Sequence, residues 1–510
     1  MVLCGALTGC SFLIDSKAEQ CSADSDCETF GGHPFCKAGV CVASGLGPDG
    51  CFFGTPKTQS DYLNACTTSK FVAYDNCTEL KLCPNGTATM PMPAGAVQGT
   101  SGASNIPADP MNLCTDNAPL IGTNPAMIWL FGSSDFGPEL RAVQRALNVP
   151  GQQQYRAVFQ NGTSCDGVTS IFSGPTRIKD GTAGKGGWPY YFDASGNQIN
   201  CRIDPAGMPG VTPNANIDIG ISNLFAPTCN PTFIPGTTSG VRDYNGPIVP
   251  FVLAVKGQSQ EQAISTEAAR LVFGNGGVAP SSSGLNNAMP WTDYKNFYIR
   301  NQNAGSTVLT ALLIDVPRTM FWGIDRVTTE NLRDGLLAAV DTPSSGAIGI
   351  LSIDFYDKYR GNLKALYLQS KAQKVGFLPD SGPTTTDKAN VRDGHYPLWG
   401  YAHMFTRLDP NANSPFPAPQ AFILNLSVPQ IQQTLLDDLI AASLTPGCAM
   451  KVERTSEIGD FAAHAGAKCG CYFDFKTTGH TDCQVCTSSE SCPGKGPCNY
   501  GYCEQPDSAQ

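Results

Sequence analysis

The chain has 510 residues, 41% of them hydrophobic, which is enough apolar material for more than one core. Its formal net charge is −10 and only 15% of its residues are charged. No basic tract is present, and this argues against a nucleic acid as its partner. The 54 glycines and 38 prolines predict many loops.

Twenty-two cysteines crowd towards the two ends of the chain. Between Cys114 and Cys448 there are only three, Cys165, Cys201 and Cys229. Cysteine usage of this kind indicates disulfides and therefore an oxidising, extracytoplasmic compartment, in the periplasm or at a cell surface.

The first ten residues end in Leu7-Thr8-Gly9-Cys10, which resembles a lipobox, the bacterial signal for cleavage before a cysteine and lipidation of its thiol. We interpret residues 1–10 as the remnant of a signal peptide and Cys10 as the lipidated residue. No Lys or Arg precedes Cys10, so we expect the true start to lie upstream. No later segment carries about eighteen uninterrupted apolar residues, so acyl chains are the predicted membrane anchor.

Residues 11–120 form a predicted Cys-rich extension with a linker, and residues 466–510 a Cys-rich module. Both ends contain C-x5-C, a gap rich in Gly or Pro, and then C-x4-C, which is an internal repeat. Disulfides are the preferred interpretation, although Cys483-x2-Cys486 also permits a metal. Without Cys4 and Cys10, 20 cysteines remain (22 − 2), an even number.

At Ala126 the pattern changes to alternating strands and helices. Residues 127–131 predict a buried strand, residues 132–136 a tight turn, and Pro138 the start of a helix. Further strands are predicted at 155–159 and 217–223, each ending in small or polar residues.

The second part of the pattern is centred on residues 297–314, where an apolar run reaches Arg300, a small polar turn follows, and a helix begins that Ser306 or Thr307 is expected to cap. Alternation of this kind predicts an α/β fold with ligands at the carboxyl ends of strands. The other predicted elements are strands at 246–255, 347–353, 363–368 and 396–405, a helix at 265–273 closed by Gly274, and an amphipathic helix at 428–443.

Four turns, at 132–136, 162–167, 222–223 and 300–306, offer backbone N–H groups, hydroxyls and one guanidinium, which suit an oxyanion. In this order they resemble the phosphate-binding protein of bacterial phosphate ABC transporters, over about residues 125–445. The resemblance implies a two-lobed type II periplasmic-binding-protein fold: lobe 1 at 121–247 and 396–465, and lobe 2 at 248–395. The ligand-binding residues that it implies are Ser133, Ser134, Asp135, Phe136, Ser164, Asn223, Arg300, Gly305 and Ser306.

The sequence departs from the family at four positions. Asp135 stands where the family has a hydroxyl, and Asn223 where it has a ligand-binding Asp. Ala304 replaces a Ser, and Gln302 replaces an acid that braces the arginine. We hypothesise that Asp135 takes over as proton acceptor for a protonated oxyanion and that Asn223 becomes a donor.

The predicted function is therefore a lipid-anchored solute-binding protein that captures phosphate or a related oxyanion and hands it to an ABC permease. No cofactor, metal or catalysis is expected. The first alternative is a surface or adhesion lipoprotein that keeps the fold without the binding. The second, a hydrolase of phosphate esters, lacks a nucleophile or metal-ligand motif in the sequence.

Overall fold

The computed structural model describes residues 21–22, 24–27, 35–37, 40–42, 51–82, 88–95, 98–100, 108–203, 215–340, 342, 346–411, 413–427, 431–466 and 468–504. The lipobox with Cys10 lies outside these residues. No helix among the described residues is long and apolar enough to cross a membrane.

The chain has the mixed α/β architecture that the sequence predicts. Its strands are β1 Phe35–Lys37, β2 Val40–Val42, β3 Phe71–Val72, β4 Gln98–Thr100, β5 Leu120–Ile121, β6 Asn124–Pro125, β7 Met127–Ser133, β8 Arg156–Gly162, β9 Tyr190–Phe192, β10 Gln198–Asn200, β11 Ile219–Ser222, β12 Val241–Lys256, β13 Ala263–Ser265, β14 Phe297–Ile299, β15 Gly323–Asp325, β16 Ile348–Ser352, β17 Leu363–Ala365, β18 Tyr367–Gln369, β19 Gly376–Phe377, β20 Trp399–Asp409, β21 Ser414–Pro415, β22 Val452–Glu453, β23 Ala462–Ala463, β24 Cys498–Asn499 and β25 Tyr502–Cys503. Its helices are α1 Gln59–Leu63, α2 Asn76–Leu80, α3 Gly137–Ala146, α4 Ser164–Phe172, α5 Ala226–Cys229, α6 Thr266–Asn275, α7 Gly305–Leu313, α8 Thr329–Ala338, α9 Ile353–Lys358, α10 Ala389–Asp393, α11 Pro417–Leu426, α12 Gln433–Ala441 and α13 Gly470–Thr478.

One large sheet organises the molecule, with the strand order β10-β9-β8-β7-β11-β20-β12-β16-β14-β15-β4. Strands β8, β7 and β11 are parallel to one another, and so are β16, β14, β15 and β4. We call β7 to β11 with their helices α3 to α5 the β7 half, and β14 to β16 with α7 to α9 the β14 half.

Strand β12 belongs to both halves. Residues from Val241 to Pro250 pair with β20, with a bulge between Asn245 and Ile248. From Phe251 to Ala254 the same strand pairs with β16. It is longer than the predicted strand at 246–255 because the polar residues before Gly246 continue the ladder.

Each half has its own hydrophobic cluster. Trp129, Val158 and Ile171 belong to the cluster of the β7 half. Leu332, Leu336 and Leu351 belong to that of the β14 half. The helix periodicity read from the sequence is confirmed in α3, where Leu140 and Val143 are fully buried.

Three helix predictions were wrong in detail. The predicted helix at 428–443 is shorter, because α12 covers Gln433–Ala441 and α11 already ends at Leu426; residues 428–430 are outside the described part. Helix α6 is closed by Gly276, in the left-handed conformation at φ 67°, and not by Gly274. Helix α7 has no side-chain cap, because it begins at Gly305 and Thr307 instead donates to the carbonyl of Arg300.

The disulfides predicted for the ends of the chain are confirmed. The pairs in the described residues are Cys21–Cys36, Cys51–Cys66, Cys114–Cys201, Cys165–Cys229, Cys448–Cys469, Cys471–Cys483, Cys486–Cys498 and Cys492–Cys503. Cys483 and Cys486 are thus in two different disulfides, which removes the zinc interpretation of their spacing. The described residues up to Thr67 belong to one compact unit, and those from Thr68 to Glu504 to another.

Candidate functional site

The turn after β7 is shaped by Gly132. Its φ is 145°, and a Cβ there would lie 1.9 Å from the carbonyl oxygen of Ile221 on the neighbouring β11, so only glycine fits. The close approach brings the ends of β7 and β11 together. The hydroxyl of Ser133 consequently donates a short hydrogen bond to the side-chain oxygen of Asn223.

Ser164 is the first residue of α4, after Thr163 has capped the helix through a reciprocal bond with Asp166. Its hydroxyl accepts from the backbone N–H of Asn223 at 3.2 Å and lies 3.4 Å from the Asn223 side-chain oxygen. The oxygen of this amide thus faces two serine hydroxyls. The NH2 group of the Asn223 side chain makes no hydrogen bond with the described residues, so it is able to donate to a ligand.

Arg300 follows β14 and is buried, with 6% of its surface exposed. Its Nη1 donates to Ser134 Oγ and to Thr329 Oγ1, each at 3.0 Å. Its Nε is buried without a hydrogen-bond partner, and none of the described carboxylates lies within ion-pair distance of the guanidinium. Gln302 is exposed and does not brace it.

Gly305, the first residue of α7, makes a close approach to the β7 half. A Cβ on it would lie 2.7 Å from Ser164 Oγ and 2.8 Å from Asn223 Cβ. Beside it, the N–H of Cys165 donates to the carbonyl of Asn303 at 3.3 Å. The first turns of α4 and α7 therefore meet, with buried Ser306 next in line.

Thr329, the first residue of α8, is part of the same cluster and was missed in the sequence. Its hydroxyl accepts from Arg300 and donates to Asp135 Oδ1 at 3.1 Å. The only signal was the run Thr328-Thr329-Glu330 before a helix, which is typical of an ordinary N-terminus; Thr328 is in fact the cap.

Asp135 lies in the turn between β7 and α3, buried and adjacent to Ser133, whose hydroxyl is 3.4 Å from Oδ2. Burial raises the pKa of the Asp135 carboxyl, and the guanidinium of Arg300 and the Thr329 hydroxyl offset this only in part. The carboxyl therefore binds a proton more readily than an exposed aspartate does.

Phe136 has a different position from the other predicted residues. Its ring is 2% exposed and packs against Phe159 and Phe422, with ring centroids 6.1 Å apart in each case. The ring therefore belongs to the core and is not available to a ligand. The structure brings Ser133, Ser134, Asp135, Ser164, Asn223, Arg300 and Gly305 into one cluster, with Ser306 beside it.

No protein-family model matches the chain, and no curated protein matches it in sequence. Solved structures with a similar course of the chain include a putative phosphate ABC transporter substrate-binding protein from Clostridium perfringens with bound phosphate: 12% identity, 63% of this chain, 99% of that chain, TM-score 0.39. An ABC-type phosphate transport receptor from Vibrio cholerae is 13% identical; the match covers 62% of this chain and 99% of the receptor, with a TM-score of 0.37. A mutant of Corynebacterium glutamicum OxyR is 7% identical; the match covers 63% of this chain and 68% of the OxyR chain, with a TM-score of 0.32. At these identities and scores the likenesses do not decide what this chain binds.

Proposed function

We propose that this chain is an extracytoplasmic solute-binding protein that captures a small oxyanion, phosphate or a relative of it, between the β7 and β14 halves. In this proposal Cys10 carries acyl chains that hold the protein at a membrane, and an ABC permease receives the ligand. The ligand leaves unchanged.

The observation that carries the proposal is the unpaired guanidinium of Arg300. A buried cation without a carboxylate partner is costly, since neither water nor a counter-charge compensates it. Among the residues that the structure describes, Arg300 donates to two hydroxyls, and its buried Nε has no partner. A bound oxyanion would supply the missing charge and accept from its planar donor fork.

The surroundings of Arg300 suit the same ligand. Helices α4 and α7 both begin at the cluster, so their first N–H groups and the positive ends of their dipoles point to one place. The hydroxyls of Ser133, Ser134 and Ser164 add donors. Asp135 is the one carboxyl in contact with the cluster, and it can accept the proton of a protonated oxyanion.

Binding requires the two halves to move apart first. Ser134 already contacts Arg300 directly, Thr329 contacts Asp135, and Gly305 packs on Ser164. An oxyanion would replace these contacts, which then become bonds from each half to the ligand. Rotation is expected where β12 and β20 pass between the halves, near the bulge at Asn245.

The same direct contacts favour one rival, a surface or adhesion lipoprotein in which the cluster only joins the halves. Calorimetric titration with phosphate and sulfate separates the two. We expect phosphate to bind at micromolar concentration or below and sulfate more weakly, because Asp135 repels an anion that brings no proton. Arg300→Met should abolish binding, whereas Arg242→Met, at an exposed position, should not. Absence of heat with either anion would favour the rival.

The anchor needs its own test. The disulfides support an oxidising compartment. Expression of the full-length precursor in a bacterium, followed by membrane fractionation and mass spectrometry, should find an acylated N-terminal Cys10. Cys10→Ser should release the protein from the membrane fraction; if the variant remains there, another anchor holds it.

A further inference from the structure

The β14 half has a cavity of its own, with a volume of about 300 Å³. It is lined by Tyr298 on β14, by Arg326 just after β15, and by residues of α8 between Asn331 and Ala338, together with Ala339. None of the residues of the oxyanion cluster lines it. A volume of this size is at the lower end of the range of small-molecule sites.

The charge in this cavity is the guanidinium of Arg326. Its Cζ lies 4.3 Å from the centroid of the Tyr298 ring, and its Nε is buried without a hydrogen-bond partner. Within the described part of the chain, the guanidinium makes no hydrogen bond and no ion pair. The aromatic ring is a weak partner for a cation, so the donors of Arg326 remain available to a ligand.

Gly335 makes room for this guanidinium in α8. A Cβ on Gly335 would lie 3.0 Å from both Cζ and Nε of Arg326, and 3.1 Å from Nη2. The residue is in the interior of the helix, where glycine is unfavourable compared with alanine. The space that the missing side chain leaves is therefore used to place the guanidinium at the cavity.

The acid in the lining, Asp334, is already engaged. Its Oδ1 lies 2.7 Å from Nη2 of Arg333, and the same arginine donates to the hydroxyl of Tyr359 at 2.9 Å. Asp334 is therefore held by Arg333 and leaves Arg326 unpaired. Its negative charge still belongs to the lining and opposes an anion with more than one charge.

These features define the class of ligand. The two oxygens of a carboxylate match the planar donor fork of a guanidinium, and a single negative charge balances the unpaired Arg326 without repulsion from a second charge by Asp334. Tyr298 and Ala339 belong to the hydrophobic cluster of the β14 half, and Ala338 adds a small apolar side chain. The part of the ligand next to its carboxylate should therefore be apolar.

We propose that the cavity beside Arg326 binds a small monocarboxylic acid. Its carboxylate accepts two hydrogen bonds from the guanidinium, and its apolar part lies on Tyr298 and Ala339. This site is separate from the oxyanion cluster, and the inference does not depend on the proposed function.

Two probes of the same shape, 4-methylpentanoate and 4-methylpentanamide, differ in the charge that Arg326 is proposed to recognise. In ligand-observed NMR titrations of the full chain, we expect the acid to bind at least about tenfold more tightly than the amide. Arg326→Met keeps an unbranched side chain at Tyr298 and removes the charge, so it should reduce this ratio to about twofold or less. Gly335→Ala should do the same, because its Cβ displaces the guanidinium while alanine favours the helix.

The matched controls are Arg242→Met, at an exposed position, and Gly361→Ala, where a Cβ meets no atom within 4 Å; both should keep the preference for the acid. Arg300→Met separates the two sites, because it should lose phosphate and keep the acid. The inference is overturned if wild type binds the amide as tightly as the acid or binds neither, or if Arg326→Met keeps the full preference. Loss of the acid in Arg300→Met would place the acid in the oxyanion cluster, which overturns this inference and leaves the proposed function intact.

Discussion

The hydroxyl of Thr329 accepts a hydrogen bond from the guanidinium of Arg300 at 3.0 Å, across the start of α8. The same hydroxyl donates to the carboxyl of Asp135 on the other half. Thr329 therefore bridges the guanidinium of Arg300 and the carboxyl of Asp135, which do not contact each other directly.

Replacing Thr329 by Val should therefore weaken oxyanion binding with little change of shape. The variant removes one acceptor and one donor in a buried place, which costs about 1–3 kcal/mol. We expect the dissociation constant for phosphate to rise about tenfold or more in calorimetric titration. Thr434→Val, at an exposed position of α12, should leave it unchanged. An unchanged dissociation constant in Thr329→Val would remove the residue from the site.

The free energy of unfolding of an Arg300→Met variant tests whether the guanidinium lacks an ion-pair partner. Removing a buried cation that has no ion-pair partner among the described residues is expected to leave the free energy of unfolding equal or higher. Lys388→Met is the contrasting variant, because its buried ammonium lies 2.9 Å from both Asp357 and Asp380. Leaving these acids without the ammonium should cost about 3–5 kcal/mol. Urea unfolding of both variants measures the contrast, and equal losses would contradict it.

Gly305→Ala tests whether phosphate binding needs the two halves to close at this contact. The added Cβ would overlap Ser164 Oγ and Asn223 Cβ, while the helical backbone itself accepts alanine. Overpacking costs about 1–3 kcal/mol, so the affinity for phosphate should fall about ten- to a hundredfold. Gly361→Ala, with no atom within 4 Å of its Cβ, is the matched control. Unchanged affinity in both variants would show that ligand binding does not need this contact.

The buried carboxyl of Asp354 should make the stability of the fold decrease as the pH rises. Burial raises the pKa of its carboxyl to about 7 in the folded chain, above the ordinary value of 3.8. Folding therefore favours the protonated form, and the ionised carboxyl destabilises the fold increasingly as the pH rises from about 4 to about 7. Asp354→Asn should be more stable than wild type by about 2–4 kcal/mol above pH 7. The difference should vanish below about pH 4. Denaturant titrations across this range measure it, and a constant difference would refute it.

Much of this site could be predicted because its residues lie in local patterns. The turn at Gly132, the start of α4 at Ser164 and the arginine before α7 all follow short apolar strands, and such turns meet at one edge of a parallel arrangement. Thr329 could not be found in this way, because its role depends on Asp135, 194 positions away. The complete burial of Glu139 in α3 is likewise a result of the tertiary structure, which no local pattern reports.

The errors at the helix ends have equally physical reasons. Apolar spacing continued through 428–443, whereas α12 begins at Gln433, because such spacing marks the buried face of a helix and not its first residue. Helix α11 was missed although Pro417 stands at its first position, where proline is favoured. At α7, the Thr307 hydroxyl donates to the carbonyl of Arg300, whereas a capping hydroxyl would accept from a backbone N–H of the first turn.

The continuous strand β12 should make the two hydrophobic clusters unfold together on heating. Since its sixteen residues form ladders with β20 up to Pro250 and with β16 from Phe251, neither hydrophobic cluster can melt while this strand stays intact. Scanning calorimetry of the chain from Thr68 onward should therefore give one joint endotherm for both clusters, with equal calorimetric and van't Hoff enthalpies, and no earlier peak from either.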